Sequence, residues 1–189
     1  GLIDIETLEE LYAIRFQSDG LGQKLTQESK LDMSGCPRVW YQGKFEYRCH
    51  GYELLHDLDF DTNANGIADK NDEFWNDGEG WSPIFIVGKS NFSAVFEGNG
   101  HAIKNLYINS KELKSFGLFS HIENSTVRNL TLDGSIYANN KNYSHVGLLA
   151  GGIGRSYLHN IVVRGKINGK GKSQKIGMLA SGINESQIH

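Results

Sequence analysis

FGLFSHIENSTVRNLTLDGSI, residues 116–136, and VGLLAGGIGRSYLHNIVVRGKI, residues 146–167, are two copies of one pattern, and IGMLASGINESQIH, residues 176–189, begins a third. Gly117, Gly147 and Gly177 stand thirty residues apart each time. After a one-residue difference in length near Ile122 and Ile153, further columns match: Val127 with Leu158 and Ile188, Asn129 with Asn160, Leu130 with Ile161, Leu132 with Val163, Gly134 with Gly165, and Ile136 with Ile167. A weaker copy, GHAIKNLYI at 100–108, puts Ile103, Asn105, Leu106 and Ile108 in the columns of Val127, Asn129, Leu130 and Leu132. Repetition at this period is the signature of an architecture built by stacking.

Within each copy the apolar residues alternate: Phe116 and Leu118, Leu130 and Leu132, then Val146 and Leu148, Ile161 and Val163. A period of two predicts strands with one buried face. Short strands in a thirty-residue unit cannot bury that face alone, so the copies must stack on a shared core. The expected fold is all-β, a parallel β-helix. The change of parity at Asn105, Asn129 and Asn160 predicts a corner, because Asn tolerates left-handed backbone angles and can stack its amide on the next coil.

Outward from the repeats the composition agrees. The chain has 189 residues, with Gly 23 against Pro 2 and a hydrophobic share of 39%, which suits tight turns around a packed core rather than Pro-rich disorder. No run reaches the ~18 apolar residues of a membrane span, and the first residues lack the basic and apolar regions of a signal peptide. The expectation is a soluble chain whose export signal, if any, has been removed. Residues 91–189 read as β-helix repeats and 1–90 as an N-terminal cap and lead-in. In the latter, IETLEELYAIRF at 5–16 has Thr7 and Glu10 as a capping box and Leu8, Leu11, Tyr12 and Phe16 on one face, a short helix that would cover the first coil.

Charge is segregated. The chain is −3 overall, from 22 acidic and 19 basic residues, yet residues 57–79 hold eight of the carboxylates and one lysine, while 134–184 hold none. The acidic knot contains Asp61-Thr62-Asn63-Ala64-Asn65-Gly66-Ile67-Ala68-Asp69-Lys70-Asn71-Asp72. Counted from Asp61, oxygen-bearing side chains fall at positions 1, 3, 5, 9 and 12, Gly66 stands at 6 and the Ile67 carbonyl at 7, the ligand order of an EF-hand-type loop. Ca²⁺ is the expected cofactor, held by Asp61, Asn63, Asn65, Ile67, Asp69 and Asp72. With three carboxylates and Asp72 in place of a longer Glu, the loop suits a structural site at extracellular calcium levels.

Cys36 and Cys49 could form a disulfide closing a loop of ~14 residues, worth roughly 3 kcal/mol, or could remain two buried thiols. An even pair without a CxxC favours an extracellular location.

DLDFDTNANGIADKNDEFWNDGEGWSPI, FSAVFEGNGHAIKNLYI and the GLF and GLLAGG units together resemble the N-terminal part of the GLUG-motif repeat proteins of bacteria. These are large, secreted or surface-borne, adhesin-like β-helix proteins. The resemblance implies a right-handed β-helix with a calcium-bearing loop, exported to the medium or the bacterial cell surface and not a catalyst. SHIEN at 120–124 departs from the motif in lacking its second Gly.

The function expected is therefore a non-catalytic adhesin-like or structural module, calcium-stabilised, that binds a surface glycan or protein or assembles with copies of itself. Trp40, Tyr41, Trp75 and Trp81 are the candidate ligand-binding rings, since amphipathic aromatics stack on sugars. A polysaccharide lyase or hydrolase is the alternative. It would need paired carboxylates in register, whereas Glu97, Glu112, Glu123, Asp133 and Glu185 share no column. Asp57 and Asp59 run into the calcium loop, and His101 reads as a turn residue. A net negative chain makes nucleic acid a poor partner for Lys166, Lys170, Lys172 and Lys175. The third copy stops at the column of Val127 and Leu158, so the last coil is expected to be covered, by more polypeptide or by another copy stacked head to tail.

Overall fold

A computed structural model of the chain describes residues 2–16, 23–24, 38–41, 43–47, 50–85, 91–141, 144–171 and 174–189. The strands stack in parallel, coil upon coil, in three ladders. The first takes Ile3–Ile5, His50–Leu54, Val95–Glu97, the start of Thr126–Ala138, the start of Tyr157–Gly169, and Gln187–Ile188. Its register places Ile3, Tyr52, Phe96, Val127, Leu158 and Ile188 in one column. Past a corner, the same two long strands continue beside Ala102–Ser110, which also pairs with Leu58–Asp59. The second ladder is Phe119–Glu123, Ala150–Gly154 and Ile183–Asn184, extended by bridges from Ile84 to Phe119 and from Phe92 to Ile122. The third is Ser115–Phe116, Ser144–Val146 and Gln174–Ile176.

Alternation explains the core. Val127, Leu130, Leu132, Ile136, Leu148, Ile153 and Leu158 are all buried, and they pack with Phe92, Phe96, Phe116 and Phe119 in one continuous cluster. Gly117 and Gly147 permit close coil approach. A Cβ on Gly147 would lie 2.4 Å from the Ala180 Cα, and one on Gly117, at φ 152°, would lie 2.6 Å from the Gly147 carbonyl oxygen. Asn129 and Asn160 occupy the corner at φ 53° and 52°, and the Asn160 amide donates to Asn129 Oδ1 at 3.0 Å. The asparagine column expected from the repeats is present there.

The weaker copy sits elsewhere. Ile103 pairs with Leu132 and Ile108 with Ile136, while Val95 and Phe96 pair with Thr126 and Val127. Thus the column of Val127 is filled by Phe96, not Ile103. The cause is extra chain at the corner: Gly98 and Gly100 both donate backbone N–H groups onto the single turn at Arg128 and Asn129, and the ladder is bulged where Asn105 meets Asp133.

The N-terminal helix is Leu8–Ala13, with Thr7 Oγ1 accepting the Glu10 N–H, followed by a 3₁₀ turn at Ile14–Phe16. Leu8, Leu11 and Ile14 are buried, whereas Phe16 is 65% exposed. Tightening of the last turn rotates Phe16 off the apolar face and brings Arg15 inward, where its guanidinium lies 3.7 Å from the Tyr12 ring centroid and donates to the Ser82 carbonyl at 3.0 Å. A short antiparallel hairpin joins Arg38–Tyr41 to Lys44–Tyr47. The first ladder passes from Ile3–Ile5 through His50–Leu54 to Val95–Glu97, so residues on both sides of 90 share one sheet. Along the last strands Ile176, Met178, Ile183 and Ile188 are exposed, Ile188 by 51%, although Leu158 in the same column is wholly buried.

Candidate functional site

The acidic loop is inserted into the ladder beside Ala102–Ser110. Phe60 N–H donates to the Lys104 carbonyl before it, and Trp81 N–H donates to the Tyr107 carbonyl after it, at 3.0 and 2.9 Å. Phe60, Phe74 and Trp81 hold it from beneath in edge-to-face contacts, with centroids 5.1 Å apart for Phe60 and Trp81 and 5.3 Å for Phe74 and Trp81. From the side, Trp75 lies flat on Tyr107 at 5.4 Å.

Inside this frame the side chains turn toward one another. Asp61 accepts the N–H groups of Asn65 and Gly66 on its two oxygens, Asn63 Oδ1 accepts Asn65 N–H, and Asn65 Oδ1 accepts Ile67 N–H. Asp69 receives the side-chain amides of Asn63 at 3.3 Å and Asn65 at 2.5 Å. Asp72 closes the ring, accepting from Thr62 N–H and Asp69 N–H. Gly66, at φ 83°, and Ala64, at φ 56°, make the reversals. The Asn71 N–H first, and then the Asn65 amide, hold the Asp69 carboxyl below the usual carboxylate range, so it stands ionised at neutral pH.

Among the described residues no three His, Cys, Asp or Glu side chains form a metal cluster by themselves. A cation here would need the Asn63 and Asn65 amide oxygens and the Ile67 carbonyl beside the three carboxylates. That all-oxygen set is of the kind hard divalent cations take, and the two amides present oxygen or nitrogen inward according to a half-turn about their last bond. The residues therefore match calcium in donor type. Asp59 accepts the Asp61 N–H and the Asn105 amide, supporting the loop from outside. Asp57 instead binds the Ala102 N–H, His101 at 3.3 Å and Lys104 at 3.2 Å.

The aromatic candidates separate. Trp81 is 1% exposed and donates its Nε1–H to the Leu118 carbonyl at 3.1 Å, so it is a core residue with no face for a sugar. Trp75 is half-buried and continues through Tyr107 to Tyr137, a row of rings along the stack with the Lys166 ammonium 5.8 Å from the last centroid. Tyr107 and Tyr137 stand on neighbouring strands, Tyr107 beside Ser135 and Tyr137 beside Asn109, so their rings meet across a two-residue offset. Trp40 and Tyr41 lie in the hairpin, of which the backbone alone is described, and Cys36 and Cys49 fall outside the described residues.

A second polar cluster, on the outer side of the second ladder, escaped the sequence reading. Glu123 accepts from Arg155 Nε at 2.6 Å and faces His121 Nε2 at 3.1 Å, and His145 Nδ1 lies 2.6 Å from Ser181 Oγ. These residues come from successive coils and share no motif. The available signal was the column itself, in which SHIE of one copy stands over GGIG of the next.

Comparison with known proteins adds one relative. No family model matches the chain, and no solved structure does. Halomucin of Haloquadratum walsbyi is 33% identical over 139 residues, which span 72% of this chain and 1% of halomucin.

Proposed function

We propose that the chain is a calcium-stabilised, non-catalytic module of an extracellular or cell-surface protein, whose coils close into a right-handed parallel β-helix of the GLUG-repeat kind. The observation that carries this reading is the 61–72 loop, in which Asp61, Asp69 and Asp72 are each hydrogen-bonded to other residues of the loop, beside the packed rings of Phe60, Trp75 and Trp81. Likeness to a stretch of halomucin supports the extracellular placement, as does the reading of Cys36 and Cys49 as a disulfide. The partner is a glycan or a surface protein, met along the row Trp75, Tyr107 and Tyr137, or a further copy meeting the open apolar end at Ile176 and Ile188.

Calcium titration against thermal unfolding tests the reading. At a hundredfold excess over Kd a bound ion stabilises by about 2.7 kcal/mol, which raises Tm by about 5–11 °C for a chain of this size. Asp61→Asn and Asp69→Asn should each reduce that rise. Identical melting curves in millimolar Ca²⁺ and in excess chelator would overturn the assignment.

A further inference from the structure

Gly152 and Gly154 stand in register with His121 and Glu123 of the preceding coil. Neither glycine has a positive φ, so the backbone does not require them. What they supply is room: a Cβ at 152 would lie 2.7 Å from His121 Nδ1, and one at 154 would lie 2.3 Å from Glu123 Oε2. The His121 and Glu123 side chains lean across this space, and Gly182 on the following coil has nothing within 4 Å of where its side chain would be. A trough of about 510 Å³ results, walled by His121, Glu123, His145, Arg155, Asn184 and Glu185.

The polar groups in the trough are unequal. Glu123, only 15% exposed, is engaged on both oxygens by His121 and Arg155. The Arg155 side chain is 60% exposed and anchored through Nε, which leaves its two terminal amino groups as a fork that no described residue occupies. Such a fork matches the paired oxygens of a carboxylate or sulfate. Around it, Asn184 and Glu185 offer acceptors and donors suited to hydroxyl groups. One cationic fork, paired through Nε with Glu123 and set beside the Asn184 amide and the Glu185 carboxylate, describes a site for a sugar bearing a single acidic group.

We propose that this trough binds an acidic polysaccharide, with the carboxylate or sulfate of one sugar on Arg155 and the neighbouring hydroxyls on Asn184 and Glu185. The proposal takes its ligand class from the reading of the chain as a binding module; the calcium test uses no glycan, so either can fail alone.

Calorimetric titration of the full chain in saturating Ca²⁺ tests it with three oligosaccharides of equal length: oligogalacturonate, a sulfated galactan fragment and neutral galactan. Binding of the first assigns a carboxylate and of the second a sulfate ester, each at least tenfold tighter than the neutral chain. Arg155→Gln should weaken that binding tenfold or more. Gly182→Leu, which points into open space and so preserves the fold, should abolish it by filling the trough. Lys170→Gln, in the basic tail, should leave it unchanged. Binding of none of the three, equal binding of the neutral chain, or indifference to both Arg155→Gln and Gly182→Leu would overturn the proposal.

Discussion

Replacing Glu97 by alanine should cost the protein about 4 kcal/mol. Glu97 is 2% exposed, and its Oε2 accepts from the Nε of Arg128, also buried at 7%, at 2.5 Å. Its Oε1 takes the Asn129 amide at 3.0 Å and the Asn99 N–H at 2.8 Å, so one carboxylate ties the first ladder to the corner of the next coil. Truncation takes the Glu97 carboxylate away from a buried guanidinium, and breaking a buried ion pair costs roughly 3–5 kcal/mol. The Asn99 and Asn129 groups lie near solvent and add at most about 0.5 kcal/mol each. For a chain of 189 residues such a loss lowers Tm by roughly 8–16 °C. Urea unfolding at fixed calcium measures it, and the double variant Glu97→Met with Arg128→Met separates cause from bulk. If the broken ion pair is responsible, the double variant should return to within about 2 kcal/mol of the parent. A loss below about 1 kcal/mol in Glu97→Ala, or a double variant as poor as the sum of the singles, would refute the reasoning.

Gly147→Ala should destabilise by about 3 kcal/mol in urea, since its methyl would meet the Ala180 Cα at 2.4 Å and the Ala150 carbonyl at 2.5 Å, both backbone; Gly182→Ala, with open space, should stay within about 0.5 kcal/mol. Burial first, then the charges of Lys175 and His121, hold His145 below the ordinary histidine value. The unfolded chain therefore takes up that proton first, and stability should decline as pH falls below about 6.5; His145→Gln should flatten that part of a denaturation profile, and an unaltered slope would count against it.

The repeat was legible because its two determinants are local. Gly117 and Gly147 mark where coils touch, and Asn129 and Asn160 mark where the chain turns, each visible in one-dimensional spacing. The weak copy misled for a physical reason: four residues, Gly98 to His101, stand where the next coil has two, Asn129 and Leu130, so the Asn in KNLYI shares its sequence pattern with Asn129 but lies beside Asp133. Likewise the helix pattern placed Phe16 inward because it assumed 3.6 residues per turn to the end, where the chain tightens to a 3₁₀ turn. The 61–72 loop could be singled out from spacing, since its oxygen-bearing residues fall within twelve consecutive positions. The trough at Arg155 could not, because its walls belong to three coils and its shape depends on side chains being absent at 152, 154 and 182.

Placing Ile3, Tyr52, Phe96, Val127, Leu158 and Ile188 in one column also has a mechanical consequence. In stacked parallel strands the hydrogen bonds point along the stack, about 4.8 Å from coil to coil. Tension applied between the two ends of the stack therefore loads the coils in series, and the outermost one peels away before its neighbour is strained. From Phe96 onward the column advances by 31, 31 and 30 residues, so each coil released there yields up to about 100 Å of slack. Pulled along that axis, the chain lengthens in steps and dissipates work at each; pulled along a strand, it shears a whole ladder at once and resists far longer.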